Sequence, residues 1–180
     1  MSIIYNSYNT KIIPERIIEA EQLLKEIPAK HCFITGSFLY QEKFKDIDVF
    51  IISRSKKKFK LSNKKANIII IDFNDLNSLF FHSLVQTCVS KNLLPKNDLK
   101  VTISDYWNVV NETVPTIINQ KSFKKEIRNL ILYTEFFKKR IVLDSFQLNK
   151  KIKEFKSPKQ IFGYIEENIP QTISKSRKSS

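Results

Sequence analysis

Glycine is nearly absent from this chain, with two in 180 residues. A glycine against so sparse a background marks a point where the backbone needs a conformation, or an approach, that a side chain forbids. Cysteine is equally scarce. Cys32 and Cys88 lie far apart, each within an apolar stretch, which fits two buried free thiols and excludes a disulfide framework or a thiolate zinc cluster. The two histidines, His31 and His82, are too few and too scattered for an imidazole metal cluster, and His82 falls mid-helix with no sign of a catalytic role. No apolar run approaches the roughly 20 residues needed to cross a bilayer. The first ten residues lack the charged-then-apolar layout of a secretion signal. The expectation is a folded cytoplasmic protein without a membrane anchor.

Negative charge is also in deficit. There are 18 Asp and Glu against 31 Lys and Arg, a net charge of +13 and a pI near 9.7. Such a balance favours a polyanionic partner, because phosphate contacts supply affinity that does not depend on sequence. The joint richness in Lys, Ile, Asn and Phe is also what an AT-rich coding sequence produces. The lysine excess therefore has two sources to choose between.

The hydrophobic fraction of 42%, with 14 Phe, is enough to build a core for one ordinary domain. The spacing predicts a helix over 14–27, opened by Pro14, with Ile17, Ile18, Leu23, Leu24 and Ile27 as its stripe. A short buried strand follows over 31–35 and ends at Gly36-Ser37, where a short helix can start. A second strand covers 46–53 (DIDVFIIS), rich in β-branched residues. The basic stretch 54–65 reads as a hairpin-like connection, and its lysines are candidates to guide a polyanion. The run 66–73 (ANIIIIDF) reads as a central strand. Asp75 is placed as the cap of a helix over 76–91, with Leu76, Leu79, Phe80, Leu84 and Cys88 as its stripe. From about residue 104 the chain reads as helices, over 122–143 and 157–169 most clearly, with Trp107 and Tyr133 as packing residues. The last ten residues form a basic Ser/Lys tail expected to be disordered. The expected organisation is a mixed core over 1–97, a helical segment over 98–170 that packs on or closes over it, and a tail over 171–180.

The chemistry concentrates in 31–53. On a strand, alternate side chains share a face, so Asp46 and Asp48 point the same way about 7 Å apart, while Ile47 points into a core. Two carboxylates so placed can hold a pair of divalent ions about 4 Å apart, the arrangement suited to in-line attack at phosphorus. Magnesium prefers such oxygen ligands. Gly36 lets backbone come close to a phosphate, and Ser37 adds a hydroxyl.

These residues resemble the DNA polymerase β-like nucleotidyltransferase superfamily: an apolar strand, Gly-Ser, a short helix, then Asp-apolar-Asp on the next strand. The resemblance covers about residues 12–93 and is greatest to the small minimal members, some of which belong to toxin–antitoxin systems. It implies an α+β fold, a small mixed β-sheet flanked by helices, followed here by the C-terminal helical segment. It implies an NTP substrate, two Mg2+ ions (Mn2+ as substitute), and transfer of a nucleoside monophosphate to a hydroxyl with release of pyrophosphate. Asp46 and Asp48 would be metal ligands, and Gly36 and Ser37 would bind the triphosphate. Asp72, at the end of the isoleucine run, is the candidate third carboxylate, serving as ligand and base. Lys124, Lys125 and Arg128 are candidates to reach the triphosphate, Lys124 and Arg128 foremost. Two departures stand out: Ser37 and Asp46 are separated by only eight residues, and Lys45 replaces a small hydroxyl residue. The expected acceptor is an RNA 3′ end such as that of tRNA, a partner protein's hydroxyl, or a small molecule. The alternative is a non-catalytic nucleic-acid-binding module on the same fold.

Overall fold

A computed structural model describes residues 2–8, 10–55, 61–95, 97–119, 123–124 and 126–168. The lysines at 56–60, Lys125 and the tail 171–180 lie outside the described residues. The chain forms two compact units: Met1–Lys100 together with Asp144–Gln147, and Val101–Leu143 together with the chain from Leu148 onward.

The first unit is an α+β structure around a five-stranded mixed sheet. Its elements are β1 (Ile3–Ser7), α1 (Pro14–Glu26), β2 (Cys32–Thr35), α2 (Ser37–Tyr40), β3 (Ile47–Ile52), β4 (Ala66–Ile71), α3 (Leu79–Val85) and β5 (Thr87–Lys91). The strand order is β1-β5-β2-β3-β4. All neighbours are antiparallel except β3 and β4, which run parallel.

Alternation of side chains explains how both sheet faces are filled. Cys32, Ile34, Ile47, Val49 and Ile51 point to one face and pack with Ala20, Leu23 and Leu24 of α1 and with Phe38 and Leu39 of α2. Phe33, Phe50, Ile52 and Cys88 point to the other face and pack under Phe81 and Leu84 of α3. The cross-strand pair Phe33–Phe50 stacks at 5.1 Å between ring centroids, and Phe81 meets Phe33 edge-on at 6.0 Å. Both thiols are free and buried, and burial raises Cys32 to about 11 and Cys88 to about 12.

Four parts of the sequence reading need correction. The connection over 54–65 is not hairpin-like, because the strands it joins, β3 and β4, run parallel. The polar start contains an edge strand, β1. The helix expected over 76–91 ends at Val85, and 87–91 is instead β5, one of the inner strands of the sheet. TCVSK is buried on both faces, so it lacks the alternation that signals a strand, and tertiary pairing decides its state. The cap also changes hands: Asp72 accepts from Asn74 N at 2.9 Å to open a short 3-10 turn, and Ser78 caps α3 by accepting from Phe81 N.

The second unit comprises α4 (Ile103–Asn119), α5 (Ile127–Lys139), α7 (Pro158–Asn168) and most of α6 (Ser145–Glu154), whose first turn belongs to the sheet unit. Glu135 of α5 is buried there. It accepts from the Tyr164 hydroxyl and is met by Lys139 Nζ at 2.9 Å and Lys151 Nζ at 3.9 Å. Among the described residues, no helix is long and apolar enough to cross a membrane.

Candidate functional site

One row of residues crosses the whole sheet. The pairings place Asn67, Asp48, Thr35, Cys88 and Asn6 side by side on β4, β3, β2, β5 and β1. Directly opposed residues share a sheet face, so these five side chains belong to the α3 side. Most of the row serves the fold. The Thr35 hydroxyl sits 2.6 Å from Thr87 O and 3.1 Å from Leu84 O. Cys88 Sγ and Asn6 Nδ2 both donate to Val85 O, at 3.6 and 3.2 Å. Together they fasten the end of α3 where the chain turns into β5.

Asp48 lies beside the glycine. β2 ends at Thr35, and Gly36 follows with φ +90° and ψ −166°, a conformation that side chains rarely adopt. A Cβ built at Gly36 would lie 3.4 Å from Asp48 Oδ2. The turn therefore passes beside the carboxylate, and Ser37 follows as the first residue of α2. That helix is positioned by buried Phe38 and Leu39, and by Leu39 O accepting from Ile13 N at 2.9 Å. The Arg16 guanidinium lies over Phe38 and Phe44, 5.1 and 4.6 Å from their centroids, and steadies the loop that leads to β3.

Asp46 is exposed one position before β3, and the intervening Ile47 is fully buried, as an extended strand requires. The parallel ladder starts here, with Ile47 N donating to Lys65 O at 2.9 Å. Gly36, Ser37, Asp46 and Asp48 thus share one end of the β2–β3 pair.

Asp72 does not join them. Because β3 and β4 are parallel and Asp48 pairs with Asn67, Asp72 lies five positions further along, roughly 16 Å from the level of Asp48 at 3.3 Å per residue. The side chain that the register puts next to Asp48 is Asn67, whose Nδ2 donates to Asp48 Oδ1 at 3.4 Å. Among the described residues, no group of three or more His, Cys, Asp or Glu side chains gathers as a metal cluster. Lys124 is exposed, in a turn of the helical unit. Arg128 stands on α5 of that unit, where its guanidinium donates to Asn149 Oδ1 at 2.5 Å.

Asp144 was missed by sequence reasoning. It is fully buried in the sheet unit, where its Oδ2 accepts from the Thr87 hydroxyl at 2.8 Å. It exchanges hydrogen bonds with Gln147 at the start of α6, Gln147 N to Asp144 Oδ1 and Asp144 N to Gln147 Oε1, in the manner of a capping box. Phe146 meets Tyr40 of α2 edge-on at 5.2 Å. The first turn of α6 is thereby fixed beside the element that carries Ser37. The Asp-x-x-Gln spacing at 144–147 was the available signal.

A separate cleft of about 440 Å3 opens along β1 and α3, lined by Asn6, Phe81, His82, Gln86 and Leu94 among others, and none of the expected site residues reaches it. His82 contributes Nε2, 3.0 Å from Asn97 O. Comparison of the chain with protein-family models, with curated proteins and with solved structures gives no significant match.

Proposed function

We propose that this chain is a cytoplasmic, metal-dependent nucleotidyltransferase of the DNA polymerase β-like kind. The observation that carries the reading is Gly36 at φ +90°, in a turn where an added Cβ would come within 3.4 Å of Asp48 Oδ2. A glycine without a Cβ beside an acidic side chain leaves room for a phosphate and a cation together. The donor set fits a hard divalent cation: Asp46 and Asp48 would hold magnesium or manganese through carboxylate oxygens. The bound ion supplies charge neutralisation at the phosphoryl oxygens.

The protein's own part is positioning. With four residues, α2 contributes little dipole, so the triphosphate would be held by backbone N–H groups of the Gly36-Ser37 turn and by the Ser37 hydroxyl. In the transfer, an acceptor hydroxyl oxygen bonds to the α-phosphorus. The α–β bridging P–O bond breaks, its electron pair leaves with pyrophosphate, and the hydroxyl proton passes to solvent. Catalysis of this kind rests on alignment and charge stabilisation. The net charge of +13 favours an RNA acceptor, ahead of a protein or small-molecule hydroxyl.

The test is incubation of the full chain with each α-labelled NTP, magnesium or manganese, and either total RNA or cell lysate. Label is expected on a macromolecule with the native chain and at least about a hundredfold less with Asp48→Ala. Equal labelling by that variant would discard the mechanism. The second reading, a nucleic-acid-binding module without turnover, draws on the amide Asn67 beside Asp48 where a carboxylate was expected. It gains if no NTP labels any acceptor while RNA is still bound.

A further inference from the structure

Positive charge is segregated within the helical unit. Helix α4 contains no Lys or Arg, whereas residues 138–159 contain eight against two acids, Asp144 and Glu154. A uniform compositional drift toward lysine would load both stretches. Asp144 is fully buried, and Glu154 is held by Lys151 Nζ at 2.8 Å. Lys138, Arg140, Lys150, Lys153 and Lys156 are exposed, and none has a carboxylate partner among the described residues.

Packing gathers these cations. On α6, Leu148 and Ile152 are buried, which turns Lys150 and Lys153 outward as neighbours three positions apart. Lys151 reaches toward the other helices, with Nζ 3.9 Å from Glu135 of α5 and 5.1 Å from the Tyr164 ring centroid of α7. Lys138 Nζ approaches the same ring at 5.6 Å. Tyr164 thus draws two ammonium groups together, and buried Glu135 fastens Lys139 at 2.9 Å. Arg140 ends α5 in the left-handed conformation, φ +57°, where glycine is the usual choice. Its guanidinium lies 5.5 and 5.4 Å from the ring centroids of Phe136 and Phe137. Like charges so close repel, and Glu135 and Glu154 offset only part of that repulsion. A polyanion from outside would offset the rest.

We propose that this part of the helical unit is a docking face for the phosphate backbone of a nucleic-acid strand. Lys138, Arg140, Lys150 and Lys153 meet phosphates, each lysine as a point charge and the arginine through its planar fork. Glu135 and Tyr164 are positioning residues that hold Lys139 and Lys151 alongside. The occupant follows from charge complementarity: a strand carries one negative charge per phosphate, and the face offers cations in a row. The inference does not rest on nucleotidyl transfer, since it concerns binding alone.

The experiment is an anisotropy titration of the full chain, without NTP, against a short labelled RNA strand and the DNA strand of the same sequence. Poly-glutamate serves as the non-nucleic polyanion. One variant carries Lys138→Gln, Arg140→Gln, Lys150→Gln and Lys153→Gln, which spares the lysines that neutralise Glu135. A control removes the same charge from exposed positions of the sheet unit, with Lys11→Gln, Lys25→Gln, Lys30→Gln and Lys100→Gln. Circular dichroism and thermal melting confirm that both are folded. The first variant should bind about tenfold weaker or more at ~100 mM salt, and its slope of log K against log salt should be shallower by about 2–3. The control should keep the native slope to within about 1. A preference for RNA or for DNA names the strand, and either supports the face. Equal losses in the two variants, a native slope in the first, or poly-glutamate bound as tightly as either strand would overturn the proposal. Failure here leaves the Gly36–Asp48 site standing, and failure of nucleotidyl transfer leaves this face standing.

Discussion

At the scale of single residues, Gly36 carries the most. Its φ of +90° is costly for any residue with a Cβ, and the space that a Cβ would enter is bounded by Asp48 Oδ2. Gly36→Ala should therefore cost about 1–2 kcal/mol of stability, read by urea unfolding, and should also lower nucleotidyl transfer. A variant as stable and active as the native chain would show that the turn has no such role. That the glycine and the two aspartates fall at one end of the β2–β3 pair was legible in the sequence because each is local: a rare glycine after an apolar strand, and carboxylates two apart at the start of the next. Asp72 was misread for a different reason. It ends an apolar run as a site residue might, but the parallel direction of β4 against β3 carries it to the far end of the strand. Strand direction is a property of pairing, and nothing within ANIIIID states it. The same pairing is what makes Asn67, a plain polar residue in the sequence, the neighbour of Asp48.

At the scale of elements, the junction between α3 and β5 is held by Thr35 of β2, Asn6 of β1 and Cys88 of β5 itself. Thr35, 2% exposed, supplies the most central of these bonds. Thr35→Val keeps the shape and removes the hydroxyl, so it should destabilise the sheet unit by about 1–3 kcal/mol in chemical denaturation. No change would mean that the carbonyls of Leu84 and Thr87 are satisfied without it. In the helical unit, Glu135 titrates below the ordinary carboxylate range. Burial pushes it up, but hydrogen bonds from Tyr164 and Lys139 and the charges of Lys139 and Lys151 outweigh that push. A carboxylate with a depressed folded value adds stability above its unfolded value and loses it as pH falls through the folded one. Glu135→Gln should thus be less stable than the native chain by about 1–3 kcal/mol at pH 7, and the gap should close on acidification below pH ~4. A gap that stays constant with pH would contradict this. Element type was well signalled where periodicity was strong, as in α1, α5 and α7. It failed at β1 and β5, whose short segments acquire strand character only through their partners, and at 76–91, where a stripe with Phe80 looked plausible although Phe81 is the one buried.

At the scale of the whole molecule, the sequence reading of a mixed α/β part followed by helices describes the order of elements. It does not anticipate that Asp144–Gln147 returns to the sheet unit, because that return is made by one buried carboxylate and the Thr87 hydroxyl, 57 positions apart. Net charge is the other whole-molecule property. With +13 overall, RNA affinity should fall linearly in a plot of log K against log salt, by about tenfold or more between 50 and 200 mM. Changing both Asp46 and Asp48 to Ala should leave that slope in place. A flat salt dependence in filter binding would remove RNA as the favoured acceptor.

The most direct test of the central claim is anomalous diffraction from crystals grown with Mn2+ and a non-hydrolysable NTP. The expected result is a manganese peak about 2.2 Å from an Asp48 carboxylate oxygen, with the triphosphate lying along the Gly36-Ser37 turn. Manganese and nucleotide bound elsewhere, with the Asp46–Asp48 end of β3 empty, would contradict the account.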